Sequence, residues 1–152
     1  MLARRELSEM QVRQRLARRG CDPTDIESAV IRLRAERALD DRRTAEAMAR
    51  MSANVKRRGP LRVRREIEHA GIASGTAREA VDRVFEETDA EALLEKALAR
   101  RLRGRDRIAD DREYARLHRF LIAQGFEPDR VSLVLRRLRP MNHKGHKGQE
   151  GD

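Results

Sequence analysis

The sequence predicts an all-α fold, a tandem array of three three-helix units with the first one truncated, elongated and curved in outline. Three observations predict it. A frame of apolar residues recurs around Gly20, Gly71 and Gly125. Helix-starting and helix-stopping residues fall at matching places in each copy. No run of β-branched or aromatic residues alternates with the period of two that a half-buried strand requires.

The frame can be followed residue by residue. Four positions before each glycine stands Leu16, Ile67 or Leu121, and eight before stands Val12, Val63 or Leu117. A spacing of four puts both on one helix face. The glycine follows the last turn, where a left-handed residue stops the helix. The next residue, Cys21, Ile72 or Phe126, folds the chain back onto the helix it has left. Six, ten and thirteen positions after the glycine come Ile26, Val30 and Leu33, then Ala77, Val81 and Val84, then Val131, Leu135 and Leu138. These again share a face, so each copy contains helix, tight turn and helix.

The elements follow in order. Met1–Leu7 is the short remnant of a leading helix, and Ser8 with Gln11 forms a capping box. Asp22 caps the next helix with Pro23 at its first position. Asp40-Asp41 opens a longer helix to about Lys56, with Ala45, Met48, Ser52 and Val55 turned inward. Gly59-Pro60 is a turn before the next helix. Thr88 with Glu91 is a second capping box, opening a helix to Leu102 with Leu94, Ala97, Leu98 and Leu102 inward. Gly104–Asp110 is a linker inside the third copy. The expected units are residues 1–38, 39–88 and 89–139, followed by a disordered tail over 140–152 that holds Pro140 and three glycines.

Composition narrows the function. Of 152 residues, 39% are hydrophobic, 40% charged and only 3% aromatic, so the core is thin and aliphatic. The formal net charge of +9 favours a polyanionic partner. One cysteine, Cys21, excludes a disulfide framework or a cysteine-built zinc site within one chain. The charged first twenty residues carry no signal core, and no stretch has the length of a membrane span. A cytoplasmic, monomeric protein with no membrane contact is expected.

Catalytic chemistry has no carrier here. His143 and His146 lack further ligands for a metal, and His69 and His118 lack a nucleophile or carboxylate constellation. Cys21 occupies the place of Ile72 and Phe126, which predicts a small buried apolar group. Glu79 and Arg83, four apart, predict a helix-stabilising pair. Neither an enzyme activity, a metal nor a cofactor is expected.

The basic residues carry the functional signal. With Val63 and Ile67 facing inward, Arg62, Arg65 and His69 fall on the opposite face of their helix. The equivalent positions are Gln11, Gln14 and Arg18 in the first copy, and Arg116, Arg119 and Ala123 in the third. Lys56–Arg65, with Lys56, Arg57 and Arg58 at its head, is the densest basic segment and contains no acid. The last helix of each copy repeats one outward arginine: Arg32, Arg83 and Arg137. Stacked units would align these into a discontinuous basic ridge; an ordinary solvated helix face is the alternative.

Leu2-Ala3-Arg4-Arg5-Glu6-Leu7-Ser8, Leu16 with Arg19-Gly20, Leu39-Asp40-Asp41, Gly59-Pro60, Val63, Ile67 and Gly71-Ile72 together resemble the RecX regulatory proteins of bacteria. The third copy, with Leu121 and Gly125-Phe126, fits the same pattern, so the resemblance covers about Leu2–Leu138. It implies tandem three-helix repeats, association with the RecA–DNA filament in its groove, and depression of the filament's ATPase and strand-exchange activities. Thr44 stands where the family commonly carries an aromatic residue, which implies weaker packing between the first two units. The competing reading is direct DNA binding through helix–turn–helix pairs. Few Asn or Gln residues accompany the outward arginines, and stacking aromatics for a single strand are scarce.

Overall fold

The computed structural model describes residues 5–139. Among them the chain forms eight α-helices and one π-helical turn, and no strand: α1 (Glu9–Arg18), α2 (Pro23–Ala35), α3 (Asp41–Arg50) continued by the π-turn (Met51–Val55), α4 (Pro60–His69), α5 (Ser74–Glu87), α6 (Ala90–Leu102), α7 (Asp111–Ala123) and α8 (Pro128–Arg137). Residues 140–152, with the expected disordered tail and its two histidines, lie outside the described residues.

The repeated turn has one geometry. Gly20, Gly71 and Gly125 have φ of 80°, 86° and 94°, and the residue after each donates its N–H to the carbonyl five back, at Leu16, Ile67 and Leu121. That is the left-handed helix stop the frame requires. The Ser8–Gln11 capping box forms, and Asp22 accepts the Thr24 N–H at 2.8 Å with Pro23 in the first turn. The Thr88–Glu91 box does not. Asp89 caps α6 instead, accepting from Glu91 and Ala92, while Thr88 ends α5. A carboxylate one residue closer takes both orphan N–H groups.

The helices group as the repeat predicts, with one difference. α1 packs on α2; α3, α4 and α5 pack together; α6, α7 and α8 pack together. The leading helix expected over Met1–Leu7 is absent from its described part, since Arg5–Leu7 is non-helical. The first unit therefore closes a small core of Ile26, Val30 and Leu39, flanked by Val12, Leu16 and Leu33. The second and third share one continuous core, from Ala45 and Ile67 through Leu94 to Phe126 and Leu135.

Two further expectations change for physical reasons. Cys21 is exposed, whereas its counterparts Ile72 and Phe126 are 3% and 2% exposed. The latter belong to the continuous core of units that also have a leading helix, α3 or α6, which the first unit lacks among its described residues. Val55, expected inward, is 68% exposed, and Ala49 and Ala53 are buried instead, alongside Ala45 and Ser52. Met48 is half-buried. Ala49 is one turn on from Ala45 in the regular part of α3; beyond Arg50 the π-turn, where Lys56 N–H reaches back five residues to Met51 O at 3.2 Å, rotates Ala53 inward and Val55 out.

Adjacent units meet through backbone. Ser8 Oγ donates to Ala70 O, Glu9 N–H to Asp41 Oδ1 at 2.9 Å, and the buried Thr44 Oγ1 to Leu7 O at 3.2 Å. Thr44 thus joins units one and two by a hydrogen bond rather than by bulk. At the next joint Gly59 N–H donates to Gln124 O at 2.8 Å and Leu61 N–H to Gly125 O at 3.0 Å. The Gly104–Asp110 linker is pinned at its centre: Ile108 is 1% exposed and its N–H bonds Leu138 O at 3.0 Å.

Candidate functional site

The basic residues do not form a single ridge. Arg58 and Arg62 turn back onto Glu66, which also accepts from Ser52 Oγ at 2.8 Å. Arg62 also donates to Ala123 O at 3.2 Å, so it belongs to the joint between units two and three and not to a free outer face. Arg83 pairs with Glu46 of α3 rather than with Glu79, because α5 packs against α3 there. Arg32 lies 4.0 Å from Glu36. Arg65 is exposed with its guanidinium near Leu61 O, and Arg18, Arg119 and Arg137 are exposed on separate helices. Pairing and packing divide the sequence's ridge into a joint, some intra-helix pairs and scattered solvated cations.

What converges instead is a cleft of about 770 Å³ where the end of the α3 extension faces the α6–α7 hairpin. Lys56 and Arg57 line one side. Arg100, Arg101, Arg103 and Arg105 come from the end of α6 and the turn after it, and Arg116 from α7. The floor is apolar, with Ala97, Leu117 and Phe120. Helix periodicity places these groups: Leu94, Leu98 and Leu102 hold α6 to the core, so Ala97, Arg100 and Arg101 form the adjoining stripe. On α7, Glu113, Arg116, Leu117, Phe120 and Gln124 fall on one line by the same rule.

The electrostatics of the cleft are one-sided. Glu113 is its only acid, and it is neutralised. It pairs with Arg105 and accepts the Ala109 N–H at 2.7 Å. The Arg105 guanidinium, and then that N–H, hold its carboxyl down to about 2. Among the described residues no carboxylate lies within ion-pair distance of Lys56, Arg57, Arg100, Arg103 or Arg116. Arg101 sits over Phe120, its guanidinium carbon 3.8 Å from the ring centroid.

Backbone strain concentrates here too. Among the described residues three non-glycine residues have positive φ, and two of them, Arg57 at 55° and Arg103 at 50°, line this cleft. Glycine occupies such positions freely, whereas an L-side chain costs about 1–2 kcal/mol.

Of the residues singled out from sequence, Lys56, Arg57 and Arg116 meet in the cleft. Arg100, Arg101, Arg103 and Arg105 were missed. Their signal was present as five arginines over residues 100–107 with one acid, Asp106. It read as a helix end and a linker because nothing local says that the hairpin returns it to Lys56. Among the described residues no cluster of His, Cys, Asp or Glu is arranged to hold a metal, and no helix is long and apolar enough to cross a membrane.

Comparison with known proteins agrees with the repeat and with the fold. The family model for the first three-helix domain of RecX matches residues 1–33, and that for the second three-helix domain matches residues 40–81. The regulatory protein RecX of Halorhodospira halophila is 36% identical over 133 residues, 86% of this chain and 79% of its own length. That of Acidithiobacillus ferrooxidans is 34% identical over 135 residues, 89% and 83% of the two chains. The crystal structure of RecX from Lactobacillus salivarius shares the fold at a TM-score of 0.70 and 18% identity, over 90% of this chain and 88% of that one. Two helical domains matched in order, and relatives above 30% identity along most of both lengths, mean that this chain belongs to the RecX family of regulatory proteins.

Proposed function

We propose that this chain binds the RecA–DNA filament and depresses its ATPase and strand-exchange activities, acting as a single cytoplasmic chain in recombination and DNA repair. The observation that carries this reading is the cleft: cations from two units, six of them without a carboxylate within ion-pair distance among the described residues, face one concave surface. Such a surface suits a charged assembly whose backbone is phosphate, and it offers neither nucleophile nor acid–base pair. Arg18, Arg65, Arg119 and Arg137 add exposed charge that steers approach, and Arg32 and Arg83 add less because each already has a carboxylate partner. A helix–turn–helix insertion into a major groove is disfavoured, because the exposed face of α5, the second helix of the central pair, carries Glu79, Asp82 and Glu86 beside Arg78 and Arg83.

The test measures anisotropy of the labelled chain on bare DNA and on recombinase-coated DNA at matched salt, alongside the filament's ATPase. Tighter binding to the coated DNA with falling ATPase supports the reading. Equal binding to both, with unaltered ATPase, replaces it with direct DNA binding.

A further inference from the structure

We infer that the cleft between the α3 extension and the α6–α7 hairpin grips the phosphodiester backbone of one nucleic-acid strand, independent of base sequence, and excludes a duplex. This deepens the reading of the same cleft as the polyanion site and rests on it.

Shape selects a strand. About 770 Å³ falls in the roughly 300–1,000 Å³ range of ligand clefts and takes on the order of two or three nucleotides. A duplex is far too wide to enter such a concavity; its phosphates would reach only the rim. A strand can lie along it with phosphates on both walls, between Arg57 on one side and Arg103 on the other.

Chemistry selects phosphate over base edges. The cleft's polar lining is cationic apart from the paired Glu113 and Gln124, a one-sided set of donors that suits phosphate oxygens more than the mixed donors and acceptors of base edges. Stacking is available in one place. Arg101, seated over the half-buried Phe120 ring, offers a guanidinium and an aromatic group against which a base can rest. The scarcity of aromatics across the chain therefore does not bar a single strand.

The left-handed arginines make the inference testable without unfolding the protein. At Arg57 and Arg103 glycine relieves the backbone, so R57G and R103G should leave the melting temperature unchanged or raised. If the side chains are there for phosphate, the double variant should lose at least tenfold in affinity for a labelled thymidine oligonucleotide. The control is R15Q with R78Q, an equal loss of charge at exposed positions outside the cleft, which should lose less than threefold. Wild-type affinity for the strand should exceed that for a blunt duplex of equal length and fall with salt at a log–log slope near −2, about 0.7 for each of three phosphates.

Equal affinity for strand and duplex, or a double variant that binds as the wild type does, overturns the inference. So does displacement of the strand by polyglutamate as readily as by an unlabelled strand, which would make the cleft a site for acidic protein. Displacement by tripolyphosphate at the same concentration as the strand would make it a free-polyphosphate site and likewise overturn it. The filament assay separates the two readings. Strand binding that depends on Arg57 and Arg103 while the wild type leaves filament ATPase untouched retains the cleft and removes the regulatory function. Filament inhibition that survives in the double variant retains that function and removes the cleft from it.

Discussion

Gly59 and Gly125 lie backbone against backbone across the joint of the second and third units: a Cβ on Gly59 would come within 2.5 Å of the Gly125 carbonyl carbon. At the first joint Gly71 is pressed instead against the Met10 side chain. Glycine is needed there for close approach as well as for the turn.

Gly59→Ala should therefore destabilise the chain by about 2 kcal/mol, although its φ of −77° suits alanine, because the added methyl meets rigid backbone. Gly20→Ala should cost only about 1 kcal/mol, the left-handed penalty alone, since nothing stands within 4 Å of its Cβ position. Urea melts of both variants check the order. Equal losses would mean the joint yields.

The π-turn fixes which side chains face inward after Arg50. Val55→Asp should change stability by less than about 0.5 kcal/mol, as an exposed substitution does, whereas Ala53→Leu should cost about 1–3 kcal/mol by overpacking. A regular α-helix would put Val55 inward and reverse the ranking, which thermal denaturation of the pair would reveal.

Glu113, held at about 2 by Arg105 and the Ala109 N–H, is a depressed carboxylate. Its contribution to stability is full above the ordinary value of 4.5 and is lost as pH falls from there through about 2. The stability difference between wild type and Glu113→Gln should be constant near neutrality and shrink over that window. A carboxyl carbon resonance titrating near 4.5 in the folded chain would contradict the pairing.

Cys21, exposed beside the Gly20 turn, should react with one equivalent of a thiol reagent in the absence of denaturant. Labelling that required urea would place it in a core, as Ile72 and Phe126 are.

The helices, the left-handed glycines and the caps at Ser8 and Asp22 were legible because each depends on residues within about one turn. Errors arose where a distant element intervened. Cys21 fitted the apolar frame, yet burial needs a covering helix, and the described first unit has only α1 and α2. Arg83 suited Glu79 by spacing but met Glu46, which packing delivered from another helix. Thr44 looked like a weakness and is the buried donor that ties two units.

By itself the sequence determined the all-helical repeat, the positions of its turns and the excess of cations, since apolar period and glycine placement act over a few residues. Only the tertiary structure decided which cations work together. Lys56 and Arg57 lie 43–49 residues before Arg100–Arg105, and an exposed arginine carries no burial pattern to say where its helix will cross another. The widened turn after Arg50, the glycine joint and the α6–α7 hairpin set those crossings. They consumed Arg58 and Arg62 in pairs with Glu66 and left the cleft arginines facing one another across open space.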